Sequence, residues 1–324
     1  MFDLITIVTP PLANDKIDHI VWRNVLQTNS RDGVVYYDNI DSKNLKQQKG
    51  IYLKIERNRK LKAEGSLHKY YNEVIRNERT NYDMFTMSEA KTAIKQLLHE
   101  KGIDEADARI YHYEIGLNLN LSKDCIAFMK KIKSIGTIAN EKLIYVNPKY
   151  KDERDKTTEF HTHIRKYFKI YDKVFESVQK KRKVIPVGNI LRIETVNRRV
   201  TKGSVKDFFS PESLHKLVEN FFRDWRTIRF KQDIITPKGT GRAKRQLCIE
   251  ILEKGRDVVL DESKEKHNNG SLTDWEYRNI REFINNEWDD VKKHITFIQS
   301  EEEKEFRQLL EMNYVILRND EILK

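Results

Sequence analysis

Two β-type segments joined by a short basic turn, between Thr157 and Arg199, constrain the fold more than any other part of this chain. The first ends in KYFKIYDKVFES, the turn reads QKKRKVIPVG, and the second reads NILRIETVNRR. Successive side chains of a strand point to opposite faces, so a strand in a folded domain needs only one apolar set to face the core. Both segments carry more than that. The first holds Tyr171-Asp172-Lys173, with Glu176 five residues past the tyrosine; the second holds Arg192 and Glu194, flanked by Leu191 and Ile193. In an extended strand Lys173 shares a side with Tyr171. Glu176 does not, so a bulge, or an end to the strand near Val174, is needed to bring Tyr171 and Glu176 together.

The remainder of the chain supplies a sheet for these segments. MFDLITIV stops at Pro10-Pro11 and reads as a first strand. Asp32-Gly33 leads into VVYY, Lys49-Gly50 into IYLKIE, and Glu64-Gly65 into LHKYYN, each a run of β-branched or aromatic residues after turn chemistry. The opening ~80 residues therefore predict strands joined by polar turns. From Met87 to Lys101 the period changes: Ala90, Ala93, Ile94, Leu97 and Leu98 mark a helix, with Ser88 as its cap and Gly102 as its stop. ARIYHYEIGLNLNL, from Ala108, returns to alternation, with Tyr111, Tyr113, Ile115 and Leu117 on one face and His112, Glu114, Gly116 and Asn118 on the other. Ser122 caps a short helix holding Ile126, Phe128 and Met129, and EKLIYV is a further strand. Past Arg199, Ser210-Pro211-Glu212 opens a helix with an aromatic stripe, and a Gly/basic linker leads into further helices, one capped at Thr273. The fold class predicted is α+β: a mostly antiparallel sheet with flanking helices over residues 1–210, then a helical region over 211–324.

Composition narrows the function. Apolar residues make up 38% and charged residues 34% of the 324, enough for a core under a heavily charged surface. Sixty-one Lys and Arg against 50 Asp and Glu give a net charge of +11, which favours a polyanionic partner. Cys125 and Cys248 stand far apart, which argues against both a disulfide framework and a cysteine zinc site. The N-terminal apolar run is too short for a membrane span and has no basic region before it, so the expectation is a cytoplasmic protein.

Tyrosine, lysine and carboxylates together are the equipment for attack of a phenolate on phosphorus. Such a reaction needs a nucleophile, a divalent cation at the phosphate, and carboxylates to hold the cation. Glu114, Glu176 and Glu194 all fall in or at the end of predicted strands, and Mg2+ or Mn2+ prefers such oxygen ligands. Tyr171 offers the oxygen, and a neighbouring ammonium and metal favour its phenolate. A second candidate is His161-Thr162-His163, whose histidines at i and i+2 point the same way and suit a divalent ion. This resembles the HUH endonucleases, with Thr162 where those have a bulky apolar residue. Tyr167 and Tyr171 also form a YxxxY spacing. The basic residues Arg223, Arg226, Arg229, Lys231, Lys238, Arg242, Lys244 and Arg245 either track a phosphate backbone or line a solvated helix and linker.

Over residues 50 to 210 the chain resembles the rolling-circle replication initiators of filamentous phages and Rep-trans plasmids. The resemblance rests on Tyr171-Asp172-Lys173 with Glu176, on Leu191-Arg192-Ile193-Glu194, on the strand IYHYEIGLNL that places Glu114, and on the early GIYLKIE. It implies that Tyr171 nicks one strand of a DNA origin and becomes linked to the 5′ phosphate. By the same resemblance Lys173 assists near the phosphate, and Glu114, Glu176 and Glu194 hold Mg2+ or Mn2+. The strand is rejoined after a round of synthesis that uses the 3′-OH, with a host helicase and polymerase as expected partners. The reading from a different class is a DNA-binding replication or regulatory protein without catalysis.

Overall fold

The computed structural model describes residues 2–31, 33–39, 51–136, 138–139, 145–146, 155–157, 165–200 and 203–323. His161, Thr162 and His163 lie outside the described residues, as does most of EKLIYV. The chain divides into two compact units, one of residues 1–230 and 305–324, the other of Lys231–Lys304.

The first unit is built on a ten-stranded sheet. Its strands in chain order are β1 (Phe2–Pro11), β2 (Gln27–Arg31), β3 (Val34–Asp38), β4 (Tyr52–Ile55), β5 (Lys60–Ser66), β6 (Arg109–Leu121), β9 (Tyr145–Val146), β10 (Asp155–Thr157), β11 (Lys166–Asp172) and β12 (Asn189–Arg198); β7 (Ile132–Ile135) and β8 (Ile138–Ala139) pair outside it. Their spatial order is β2-β3-β4-β5-β1-β6-β12-β11-β10-β9, and every pairing is antiparallel. The α+β class is therefore as the sequence predicts. β6 and β12 lie side by side in the middle, in register from Asn189 opposite Leu121 to Arg198 opposite His112. That register sorts the side chains. Leu191, Ile193 and Thr195 meet Leu119, Leu117 and Ile115 on one face; Arg192, Glu194 and Val196 meet Asn118, Gly116 and Glu114 on the other.

Helices pack against the sheet. They are α1 (Asn14–Arg23), α2 (Leu67–Ile75), α3 (Met87–Lys101), α4 (Cys125–Lys131), α5 (Lys173–Gln179), α6 (Val205–Phe208) and α7 (Pro211–Arg226), with α12 (Glu301–Arg318) returning from the far end of the chain. Trp225 of α7 is fully buried, stands edge-on to Phe168 at 5.5 Å, and donates its indole N–H to Thr195 at 3.1 Å. Phe306 of α12 packs within 5.6 Å of Phe128 and 5.5 Å of Phe230, the last residue of β13 (Ile228–Phe230).

Three local expectations are corrected. LHKYYN is not a strand but the start of α2, because the Ser66 hydroxyl accepts from the Lys69 N–H and a cap outweighs the strand preference of two tyrosines. The opening region also contains α1, of which only Ile20 is buried, too weak a stripe to read. And α3 is capped by Thr86, in a reciprocal box with Glu89, while Ser88 hydrogen-bonds Asp320.

The division at residue 210 also differs from the compact units. α7 buries Leu214, Val218, Phe221, Phe222 and Trp225 in the first unit, and α12 buries Phe306, Leu310 and Leu317 there. The second unit has its own core of Ile234, Cys248, Ile251, Val259, Phe283, Ile284 and Trp288. It comprises a two-stranded sheet, β14 (Asp233–Ile235) with β15 (Thr296–Ile298), and helices α8 (Arg242–Lys254), α9 (Arg256–Asn268), α10 (Asp274–Glu282) and α11 (Trp288–Lys293). A wide π-type turn at Phe283–Glu287 interrupts the helix that Thr273 caps. Lys231–Lys304 holds fourteen Lys and Arg against sixteen Asp and Glu, so the positive charge of the chain lies in the first unit. No helix among the described residues is long and apolar enough to cross a membrane.

Candidate functional site

The polar face of β6, β12 and β11 carries a buried network of ionisable groups, and the sequence parity explains who meets whom. Lys169 and Tyr171 on β11, Arg192 and Glu194 on β12, and Glu114 and Asn118 on β6 all project to this side. Gly116 makes room for the crossing. A Cβ there would lie 2.7 Å from Glu194 Cγ, 2.7 Å from the Ile193 carbonyl oxygen and 3.0 Å from Arg192 Nε. The glycine is what lets the Glu194 and Arg192 side chains lie across the neighbouring strand.

Tyr171 is 9% exposed, and its hydroxyl donates to Glu194 Oε1 at 3.0 Å. Arg192 Nε donates to the same oxygen at 2.9 Å; its two terminal nitrogens reach Asn118 Oδ1 at 3.1 Å and Asp3 Oδ2 at 3.3 Å. Asp3 in turn accepts from Ser66 at 2.6 Å and Asn81 at 3.0 Å. The Lys169 ammonium stands between two carboxylates, 2.9 Å from Glu114 Oε1 and 3.6 Å from Glu194 Oε2.

An early end to the strand, one of the two routes the sequence offered, brings Glu176 toward Tyr171, and it places Lys173 on a helix instead of the strand. β11 ends at Asp172, whose side chain accepts from the Phe175 N–H at 2.9 Å and so caps α5. Lys173 is thus the first residue of a helix, and Glu176, three residues on, meets it at 3.1 Å. The ending of the strand removes the parity conflict. Lys173 lies over the Tyr171 ring, 5.6 Å from its centroid, and over Tyr82 at 5.8 Å. Glu176 also pairs with Lys180 at 2.5 Å and Arg182 at 3.7 Å.

The electrostatics follow from burial set against these partners. Burial pushes the Tyr171 phenol well above its ordinary value, and the adjoining Glu194 carboxylate adds to it, while Arg192 only partly offsets them. This is the reverse of the activated phenolate the sequence suggested. Burial also opposes ionisation of Asp3 and Glu176. For Asp3, Arg192, Lys173 and Lys69 outweigh it and hold the carboxyl well below the usual range; for Glu176, Lys173 and Lys180 bring it to about 2. Glu114 goes the other way: burial raises it to about 7, and the attraction of Lys169 is partly cancelled by Glu194. Burial lowers His112 to about 4.

The structure therefore brings together Tyr171, Glu194, Arg192 and Lys173, and sets Glu114 beside Glu194 around one ammonium. Glu176 belongs to a separate set of ion pairs. Among the described residues no three of His, Cys, Asp and Glu gather into a metal-holding group; Glu114 and Glu194 flank Lys169, and Glu176 pairs with Lys173, Lys180 and Arg182. The pair that does suit a divalent cation is Glu114 with Glu194, because two carboxylates already enclose one cationic atom there. Sequence reasoning missed Lys169, Asn118 and Asp3. The first two were within reach, lying two and four residues along the strand from Tyr171 and Glu114. Asp3 joins only through the fold.

Of the eight basic residues singled out between Arg223 and Arg245, five are held by neighbours: Arg223 by Asn220, Arg226 by Glu311, Lys231 by Glu253, Lys244 by Glu287, and Arg245 by the Ile234 carbonyl. Compared with known proteins, the chain matches no family model and no curated protein.

Proposed function

We propose that this chain is a DNA-nicking replication initiator of the phage and Rep-trans plasmid type, acting through Tyr171. The observation that carries the reading is the 3.0 Å hydrogen bond from the Tyr171 hydroxyl to Glu194, in a cluster that also holds Arg192 and Lys173. A phenol whose proton is so tightly held is a poor nucleophile alone, but it donates that proton to a carboxylate already in place. As Tyr171 Oη bonds to phosphorus, its proton passes to Glu194 Oε1, the P–O3′ bond breaks, and the departing oxygen takes a proton to become a 3′-OH. Arg192 orients Glu194 through Nε and holds its position through Asn118 and Asp3. Lys173 lies over the tyrosine ring, 5.6 Å from its centroid, and would face the charge that grows on the phosphate. Mg2+ or Mn2+, where bound, would neutralise charge at the scissile phosphate, and Glu114 and Glu194 are the residues that would hold it. Because Tyr171 is 9% exposed, a phosphate reaches it only after local opening of this face. Origin recognition and recruitment of a host helicase and polymerase belong to the same proposal and rest on the resemblance alone.

The burial of Tyr171 favours a second reading, in which the network is structural and the protein binds DNA without cutting it. Covalent trapping separates the two. Wild type and Tyr171→Phe are incubated with single-stranded and supercoiled DNA of the protein's own replicon in Mg2+ or Mn2+, then denatured. An adduct that is absent in Tyr171→Phe supports the nicking reading; DNA binding with no adduct in wild type supports the second. An adduct that persists in Tyr171→Phe moves the nucleophile, with Tyr167 next in line.

A further inference from the structure

The ion pairs of Glu176 do not balance. One carboxylate is met by Lys173 at 3.1 Å, Lys180 at 2.5 Å and Arg182 at 3.7 Å, so three cations share a single negative charge. One cation is enough to satisfy a buried carboxylate. The others leave a local surplus of positive charge on a protein whose net positive charge already lies in this unit.

The surplus is also arranged to be met from outside. The Lys173 and Glu176 side chains are 4% and 6% exposed, whereas those of Lys180 and Arg182 are 43% and 40% exposed. Lys180 and Arg182 sit on a turn with little freedom. At the end of α5 the Lys181 N–H donates to the Val178 carbonyl and the Arg182 N–H to that of Ser177, both at 3.0 Å. Lys181 itself takes φ +50°, a left-handed conformation that glycine adopts at lower cost. Two residues on, the Tyr82 hydroxyl fixes the Val184 carbonyl at 2.8 Å. A strained, doubly anchored corner that carries four consecutive basic residues, Lys180 to Lys183, presents its charges in a fixed pattern, which is how a site gains affinity for an anion without ordering costs.

We propose that Lys173, Lys180 and Arg182, gathered about Glu176, form a seat for a phosphate group of a nucleic-acid backbone. A phosphodiester carries one negative charge and two unesterified oxygens, which the outward Lys180 and Arg182 would take as charge-assisted hydrogen bonds while Glu176 continues to hold Lys173. The proposal rests on the nicking reading only for which phosphate is seated, one near the bond that Tyr171 attacks.

The test uses the full chain, and neither of its two arms depends on chemistry. In the first, thermal unfolding is followed with inorganic phosphate against potassium chloride at matched ionic strength. In the second, binding of a fluorescent oligothymidylate is followed by anisotropy over a range of salt. Lys180→Gln/Arg182→Gln is compared with Lys95→Gln/Lys216→Gln, which removes equal charge from two exposed positions elsewhere in the same unit. The expected result is an oligonucleotide affinity at least tenfold weaker in the first double variant and less than threefold weaker in the second. The salt slope of the first should fall by about 0.7 for each phosphate that it no longer neutralises. Phosphate-specific stabilisation of wild type, absent in the first variant, adds support for the seat. If phosphate acts but oligonucleotide affinity falls equally in both variants, the ligand is free phosphate and the nucleic-acid assignment is overturned. If neither arm distinguishes the variants, the seat itself is overturned. Since both arms read binding, a protein that forms no adduct through Tyr171 decides neither.

Discussion

Removing the Lys169 ammonium should expose how the network is balanced. In Lys169→Ala, Glu194 keeps the Arg192 bond at 2.9 Å and the Tyr171 hydroxyl. Glu114 loses its 2.9 Å partner and retains only His112 at 3.6 Å, an imidazole that burial keeps neutral near pH 7. The cost therefore falls on Glu114. Leaving one buried charge of a pair unmatched costs about 3–5 kcal/mol. The Glu114 value, about 7 with Lys169 present, is raised above that of the unfolded chain. A carboxyl with a raised folded value contributes most stability below its unfolded pKa and loses it as pH rises through the folded one. Loss of Lys169 removes the cation that lowers Glu114, so the carboxyl is raised further and the deficit grows as pH rises. Urea unfolding of wild type and Lys169→Ala at pH 5 and pH 8.5 should thus show the larger deficit at pH 8.5. Glu114→Gln should recover most of it in the double variant, and millimolar Mn2+ should recover part, shared by the two carboxylates. A deficit equal at both pH values, with additive single and double variants, would refute the reasoning.

Two further outcomes follow from the fold. Gly116→Ala forces a methyl against the Ile193 carbonyl, which cannot yield as a flexible side chain can; a loss of about 2–4 kcal/mol in chemical denaturation is expected, and wild-type stability would contradict the cradle assigned to this residue. Excision of residues 231–304, with a short Gly-Ser bridge in their place, should leave the first unit folded, because the Phe230 and Phe306 rings lie 5.5 Å apart. Loss of cooperative unfolding in that variant would show that the second unit is required.

How much of this was legible in the sequence depends on the range of the cause. Alternation in β6 and β12 is local, so the common face of Glu114, Arg192 and Glu194 could be read directly. The Tyr171–Lys173–Glu176 arrangement turned on Asp172, a cap that hides inside a run of strand-forming residues. The start of α2 was lost the same way, to Ser66. Asp3 could not have been placed beside Arg192, since nothing in either segment signals the other across 189 positions. The role of α12 was equally hidden, because an amphipathic stripe shows that a face is buried and not what buries it.

That last helix has a consequence for how the protein is made. A ribosome that has just finished β13 must still translate Lys231–Lys304 before Phe306, Leu310 and Leu317 emerge to close the first unit, a delay of roughly 4–15 s at about 5–20 residues per second. Through that interval Phe128 of α4 and Phe230 of β13 stand without the residue that packs against both. A message cut short before α12 would yield a polypeptide holding every residue of the Tyr171 cluster on an open core, a substrate for proteolysis. Synthesis through α12 is thereby a condition for a closed first unit.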